Sequence, residues 1–347
     1  MRVVRLRAPG GPEQLALEEV DRPRPGPGEA LVRVLAAAIT RGELEWPLDR
    51  LPAIPSYELS GVVEELGAGV AGVAAGDEVF ALTRFDHDGV AADYAAAPAD
   101  LLVPRPRALS QAESAATPLP ALTAWQGLFD HGQLDAGKRV LINGAAGSVG
   151  GFAVQLARAA GARVIGTASA ANRESLLDLG AHQVVDGATH FENALRPVDV
   201  VFDTVGGEPL RRSPAVLRAG GRLISVAEGP PDGGVYFIVV PNHDQLRSIA
   251  RRVDKGDLRP PPVEVYPLSS AREAFARSME HGRQARWCWR SPADVVCSQQ
   301  AVVARLARLH RAYDPTDMST NVLWPRYLQR DRCTPRSALA LQPPLWP

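Results

Sequence analysis

Residues 140–150 are the part of this chain whose composition most clearly predicts chemistry: Val-Leu-Ile-Asn-Gly-Ala-Ala-Gly-Ser-Val-Gly. An apolar run leads into a turn of small residues, and apolar positions such as Phe152 and Leu156 follow at helical spacing. Small residues let the backbone turn tightly and bring its N–H groups to a pyrophosphate at the helix N-terminus. The segment therefore predicts a nucleotide-binding turn, with candidate contacts at Ala145, Ala146, Gly147, Ser148, Val149 and Gly150.

Two further segments extend this candidate site. Nucleotide folds that prefer NAD carry an acid after the second strand, but residues 162–173 contain none. Thr167, Ser169 and Arg173 can instead donate to a 2′-phosphate, so we predict NADPH; the alternative for Arg173 is a solvated side chain. The loop Asp203, Thr204 and Val205 follows the fourth strand and is predicted to contact the ribose and nicotinamide.

Composition limits the possible classes of protein. The length of 347 residues suggests two domains, and the net charge of −1 gives no sign of a nucleic-acid or membrane partner. Residues 1–13 lack the apolar core of a signal peptide and no run reaches transmembrane length, so we expect a cytoplasmic protein. Residues 1–283 contain no cysteine, which excludes a disulfide framework or a cysteine-based zinc site there.

Periodicity predicts an α/β protein. Short apolar runs at 30–35, 61–66 and 78–82 indicate strands, and Ser110 with Glu113 predicts the capped start of a helix over 110–131. The chain then alternates strands and helices, which predicts a doubly wound parallel sheet. Its strands are predicted at 140–142, 163–166, 183–185, 200–202, 222–226 and 235–240, followed by a helix over 244–254, a strand over 263–268 and a helix over 270–281.

Several segments, in order, resemble the zinc-free branch of the medium-chain dehydrogenase/reductase superfamily, the quinone oxidoreductase-like proteins. They are residues 36–40, 54–61, 75–79 and 119–125, together with the glycine-rich turn. The resemblance implies a GroES-like, β-rich catalytic domain over 1–120, a Rossmann NADPH-binding domain over 121–258 and a return to the catalytic domain over 259–283. It also implies a homodimer, and it places Arg173 where relatives carry a basic residue for the 2′-phosphate.

The resemblance also bears on metal and mechanism. By position, Thr40, Tyr57 and Leu119 resemble the three zinc ligands of zinc-dependent relatives. These residues offer no thiolate or imidazole, so we predict no zinc. The implied reaction is hydride transfer from NADPH to a small-molecule quinone or α,β-unsaturated carbonyl compound. The carbonyl oxygen then needs a donor, for which Thr40, Tyr57 and water are candidates. Tyr57 either donates or packs beneath the nicotinamide, and Trp46 either walls the pocket or packs in a core.

Other functions remain open at this point. The chain could be an enoyl reductase of a biosynthetic pathway, which differs only in pocket shape, or an inactive NADPH-binding protein. A zinc alcohol dehydrogenase is the weakest option.

Composition changes abruptly in residues 284–347, which hold every cysteine and four of the six tryptophans. Relatives end with a strand reading Gly-Lys-Val-Val-Leu, whereas this chain reads Gln-Ala-Arg-Trp-Cys-Trp-Arg from residue 284. We interpret residues 284–347 as a frameshifted, largely disordered tail that leaves the catalytic domain without its closing strand.

Resequencing the 3′ end of the gene tests this hypothesis. We expect codons such as CAG GCA AGG TGG TGC TGG CGG, whose neighbouring frame contains GGC AAG GTG GTG CTG, encoding Gly-Lys-Val-Val-Leu. Codons that cannot be read as this strand in another frame would refute the frameshift.

Overall fold

The computed structural model of the chain describes residues 1–193, 195–231, 233–279 and 286–290. Its strands are β1 (Arg2–Leu6), β2 (Leu15–Glu19), β3 (Glu29–Ile39), β4 (Glu58–Leu66), β5 (Glu78–Leu82), β6 (Tyr94–Pro98), β7 (Val103–Pro104), β8 (Arg139–Asn143), β9 (Arg163–Thr167), β10 (Gln183–Val185), β11 (Val198–Asp203), β12 (Leu217–Ser225), β13 (Val235–Tyr236), β14 (Val263–Pro267) and β15 (Arg286–Arg290). Its α-helices are α1 (Gln111–Ala115), α2 (Pro118–Trp125), α3 (Ser148–Ala159), α4 (Arg173–Asp178), α5 (Gly207–Arg212), α6 (His243–Asp254) and α7 (Ala271–Ser278). Among these helices, none has both the length and the apolarity that a membrane span requires.

The catalytic domain is built on a seven-stranded sheet. Its order is β14-β15-β3-β4-β5-β7, and β6 pairs with β3 beside this path. β3 and β4 are antiparallel, with Ala38 opposite Glu58. The end of β3 therefore lies beside the start of β4, which brings Thr40 and Tyr57 to the same end of the sheet.

The second sheet has six parallel strands in the order β10-β9-β8-β11-β12-β13. This is the Rossmann order, whose ligand crevice lies where the strand order reverses, between β8 and β11. Every predicted strand of this domain is present, but β13 is shorter than the predicted 235–240. The last bond to β12 is made by the Phe237 N–H, and farther along the backbone of Val240 bonds to the Gln126 side chain instead.

The single helix predicted over 110–131 is wrong. The Ser110–Glu113 capping box is confirmed, but α1 ends at Ala115 and a separate α2 begins at Pro118. Pro118 and Pro120 have no N–H to donate to the preceding turn, so the first helix cannot continue through them. α2 then runs on into a wider, π-helical turn over Gln126–His131. α6 matches the prediction and buries Leu246, Ile249, Ala250 and Val253.

The expectation that the catalytic sheet lacks its closing strand is also wrong. β15 lies between β14, to which it is parallel, and β3, to which it is antiparallel. Cys288 and Trp289 of this strand are fully buried. Backbone pairing and inward apolar side chains are enough to make a strand here, whatever reading frame encoded it. The rest of the predicted tail, 284–285 and 291–347, lies outside the described residues.

Replacing Trp289 by alanine tests whether β15 supports the catalytic domain. Removing a buried tryptophan side chain is expected to lower the free energy of unfolding by about 3–5 kcal/mol. Urea denaturation measures this loss, with Leu17→Ala as the control because the Leu17 side chain is exposed. Trp289→Phe should cost less, since the buried Trp289 indole N–H has no hydrogen-bond partner among the described residues. Equal stability of Trp289→Ala and the parent chain would mean that β15 contributes nothing.

Candidate active site

The glycine-rich turn has the geometry of an anion site. Gly144 adopts φ +72°, and a Cβ at Gly150 would lie 2.2 Å from the Gly144 carbonyl oxygen. Only glycine at position 150 lets α3 approach the turn this closely. Because α3 begins at Ser148, the N–H groups of Ser148, Val149 and Gly150 have no acceptor within the helix. They are available to a phosphate, as the sequence predicts.

Two predicted contact residues instead brace this turn. The Gly144 N–H donates to Thr167 Oγ1 at 3.0 Å, and Thr167 is buried. Thr204 Oγ1 donates to the Asn143 carbonyl oxygen at 2.8 Å. Both side chains hydrogen-bond the backbone at this turn, so the structure gives Thr167 and Thr204 a structural part.

Asp203, like Thr167 and Thr204, makes hydrogen bonds within the protein. Its fully buried carboxylate accepts from Asn143 Nδ2 at 3.1 Å, from the Gly206 N–H at 2.9 Å and from Ser225 Oγ at 2.9 Å. Burial raises the pKa of Asp203, and these donors oppose that rise. The carboxylate therefore joins the carboxyl ends of β8, β11 and β12 from inside and does not face outward to a ribose.

The outer surface of the crevice is formed by three other predicted residues. Val205 is exposed and lies over the turn, since a Cβ at Gly144 would come within 2.4 Å of Val205 Cγ2. Ser169 and Arg173 are exposed after β9. Arg173 Nη1 donates to the Val184 carbonyl oxygen at 2.8 Å, which holds its guanidinium beside the end of the sheet.

A second polar cluster lies where β3 ends and β4 begins. Glu58, which is 1% exposed, accepts the Leu119 N–H at 2.8 Å and the guanidinium of Arg286, and Thr40 Oγ1 lies 3.5 Å away. Burial raises the pKa of Glu58, and Arg286 and the Leu119 N–H oppose that rise. Glu58 is structural: its carboxylate caps α2 and binds Arg286 of β15.

Glu43 lies beside this pair and is 1% exposed. Burial and the charge of Glu58 raise its pKa to about 8, against hydrogen bonds from the backbone of Thr40 and Ser56 and the charge of Arg286. Within the described residues, Glu43 Oε1 has no hydrogen-bond partner. Its raised pKa favours the neutral form of the carboxyl group.

Tyr57 belongs to a cluster of three aromatic rings. Its ring centroid lies 5.7 Å from that of Trp46 and 5.3 Å from that of Phe85. Arg50 Nη2 donates to Tyr57 Oη at 3.0 Å. Burial raises the pKa of Tyr57, and the Arg50 charge opposes that rise. Trp46 packs on Tyr57 and is partly exposed at the surface.

The two halves of the site share one interior. Tyr57, Leu119 and Ala145 belong to one continuous buried cluster that runs from the catalytic sheet to the glycine-rich turn. The sequence analysis did not find Glu43 or Arg50, because nothing local distinguishes them from surface charges in a polar loop.

Comparisons with known proteins agree with this architecture. Residues 26–107 match the alcohol dehydrogenase GroES-like domain, and residues 179–285 match a domain described as zinc-binding dehydrogenase. The chloroplast envelope quinone oxidoreductase homolog of Arabidopsis thaliana is 30% identical, over 76% of this chain and 91% of the relative. The NADPH-dependent alkenal/one oxidoreductase of the same plant is also 30% identical, over 77% and 73%. The quinone oxidoreductase structure from Coxiella burnetii superposes with a TM-score of 0.78 at 28% identity, over 84% of this chain and 99% of that one.

The chain belongs to the quinone oxidoreductase-like group of the medium-chain dehydrogenase/reductase superfamily. It is an oxidoreductase that uses a nicotinamide cofactor. Its GroES-like and Rossmann domains confirm the fold class expected from the sequence.

The zinc-binding description of one matched domain raises the question of a metal in this reductase. At the three places that correspond to zinc ligands, Tyr57 Oη faces the Arg50 guanidinium, Thr40 offers a hydroxyl, and Leu119 offers only an aliphatic side chain. In the described ranges, no group of three or more His, Cys, Asp or Glu residues is placed to hold an ion. This set of side chains does not fit a catalytic zinc, which prefers thiolate, imidazole and carboxylate.

Replacing Glu43 by glutamine should make the stability of the reductase less dependent on pH. The pKa of Glu43 is about 8 in the folded protein, against 4.5 for an ordinary glutamate. The stability that the protonated group contributes is therefore complete below pH 4.5, falls as the pH rises, and is lost at about pH 8. Relative to the parent, Glu43→Gln should gain about 1.4 kcal/mol of unfolding free energy for each pH unit in that window. Urea unfolding at several pH values measures this gain.

Glu45→Gln is the matched control, since Glu45 lies on the same turn and is exposed. It should leave the pH profile unchanged. Parallel profiles for Glu43→Gln and the parent would show that Glu43 is not held neutral.

Proposed function

We propose that this protein uses NADPH, without zinc, to reduce quinones or α,β-unsaturated carbonyl compounds. The observation that carries the proposal is the shared interior of the site. Ala145 of the glycine-rich turn and Tyr57, which carries a hydroxyl donor, belong to one buried cluster. The names of the Arabidopsis and Coxiella relatives support the same classes of acceptor.

The residues present fit a bound NADPH. The free N–H groups of Ser148, Val149 and Gly150 would hold the pyrophosphate, and Ser169 with Arg173 would bind the 2′-phosphate. Residues 168–173, which follow β9, contain no acid to repel that phosphate. When bound, the reduced nicotinamide supplies a hydride.

The protein's part in the reaction is to stabilise the oxygen of the acceptor. Negative charge develops on that oxygen as the acceptor is reduced, and a hydrogen-bond donor or a proton must meet it. Tyr57 and Thr40, which lie where β3 ends and β4 begins, are the side-chain candidates for this donor, and water is the remaining candidate.

A homodimer is also part of the proposal. After β13, Phe237 and Val239 are buried, whereas Tyr236, Ile238 and Val240 are exposed in alternation with them. β13 is the last strand of its sheet, and an apolar, extended edge favours pairing with another chain. A second copy of this chain would cover these side chains.

Oxidation of NADPH by the purified protein tests the function, with a panel of quinones and α,β-unsaturated ketones and with NADH in parallel. Turnover with NADPH preferred is the expected result. Binding of NADPH with no turnover on any acceptor would favour the inactive cofactor-binding alternative, and preference for NADH would overturn the choice of cofactor.

Arg173→Ala tests the cofactor choice at the residue level. Losing a charged hydrogen bond to the 2′-phosphate should raise the KM for NADPH at least about tenfold and leave the KM for NADH unchanged. Arg163→Ala is the control, because Arg163 is exposed and begins β9, at the end of the strand that lies away from Arg173. An equal rise for both cofactors would indicate lost structure instead of a lost phosphate contact.

A further inference from the structure

We propose that Arg50 is a positioning residue that presents the Tyr57 hydroxyl as the proton donor to the oxygen of the bound acceptor. This inference rests on the proposed function and names the donor that the proposed reaction leaves open.

The hydrogen bonds of Arg50 determine what the Tyr57 hydroxyl can do. Arg50 Nη2 reaches Tyr57 Oη and the His87 carbonyl oxygen at 3.0 Å each, and it also bonds to the Phe85 carbonyl oxygen. A guanidinium can only donate, so Tyr57 Oη accepts from it. Among the described residues no acceptor takes the hydrogen of Tyr57, which leaves that hydrogen for a ligand.

The aromatic contacts fix the hydroxyl in place. Trp46 and Phe85 pack on the Tyr57 ring and on each other, with their own centroids 5.2 Å apart. The Tyr57 side chain is 1% exposed, whereas Trp46 is 39% exposed. Of the three rings, that of Trp46 is the most exposed, so we expect an acceptor to approach the hydroxyl from its side.

The charge of Arg50 is directed at this hydroxyl. Its ion-pair partner Asp49 lies 3.4 Å away and is 80% exposed, so solvent screens that pair. Burial and the nearby carboxyl groups of Glu43 and Asp88 raise the pKa of Tyr57, and Arg50 lowers it. A phenolate left after proton transfer would lie against the guanidinium, which stabilises it.

Thr40 is less suited to the same task. Its Oγ1 lies 3.5 Å from Glu58 Oε2 and 3.5 Å from Arg286 Nη2, inside the buried ion pair. Within the part of the chain that the structure describes, Tyr57 has no such acceptor. As the acceptor gains a hydride, the Tyr57 O–H bond breaks, a new O–H bond forms on the acceptor oxygen, and the phenolate later regains a proton from solvent.

Kinetics of Tyr57→Phe, Arg50→Gln, Arg50→Lys and the Arg50→Gln/Tyr57→Phe double variant test the proposal. Tyr57→Phe should lower kcat by about 10²–10⁴-fold with the KM for NADPH unchanged. Arg50→Gln, which keeps N–H donors but loses the charge, should lower kcat by a smaller factor, and Arg50→Lys should recover part of it. The double variant should be no slower than Tyr57→Phe alone.

Phenolate absorbance in the cofactor-free protein gives a readout that does not depend on turnover. Subtracting the Tyr57→Phe titration from that of the parent isolates the titration of Tyr57. The same subtraction in the Arg50→Gln background should give a midpoint about one to three pH units higher. Arg84→Gln is the control, since Arg84 lies on a neighbouring loop, pairs with Asp86 and is 55% exposed.

Three results would overturn the inference. The first is a kcat of Tyr57→Phe equal to that of the parent, and the second is a double variant whose loss of kcat is the product of the two single losses. The third is a Tyr57 pKa that is the same in Arg50→Gln as in the parent. If the parent reduces no quinone or enone, the proposed function itself fails. The titration then still decides whether Arg50 controls the Tyr57 hydroxyl.

Discussion

Glu58 places a carboxylate in the interior at the start of β4, where an unpaired charge would cost several kcal/mol. Its partners come from distant parts of the chain: the Leu119 N–H at the start of α2 and the guanidinium of Arg286 on β15. Pro118 and Pro120 divide the helical segment at this point, so the Leu119 N–H is free to meet the carboxylate. This one group therefore links the catalytic sheet to α2 and to the strand that closes the sheet.

The cofactor half depends on similar buried polar contacts behind its turn. Thr167 holds Gly144 from β9, and Asp203 ties the ends of β8, β11 and β12 together. These bonds keep the backbone N–H groups of the turn in a fixed geometry before any ligand arrives. Preorganised donors of this kind cost no reorganisation when a charged ligand binds.

Local patterns predicted the Rossmann strands, the glycine-rich turn and α6 because each depends on steric needs or periodicity within a short segment. The sequence does not reveal which side chains face the ligand. Thr167 and Asp203 have suitable chemistry at suitable positions, yet neighbouring strands use their hydrogen bonds. Arg50 and Glu43 acquire their surroundings from residues far along the chain, and β15 is a strand because β3 and β14 pair with it from both sides.

A strained backbone residue lies beside the aromatic cluster. Ser56, directly before Tyr57, has φ +65°, a region that costs a residue with a Cβ about 1–2 kcal/mol, and its buried Oγ has no hydrogen-bond partner among the described residues. Glu43 adds a buried carboxyl group whose Oε1 is also unpaired there. Surrounding structure must over-determine such features for them to persist, and they recur where geometry serves chemistry. The strained backbone therefore lies next to the hydroxyl that Arg50 holds, in the half of the protein where the acceptor must be met.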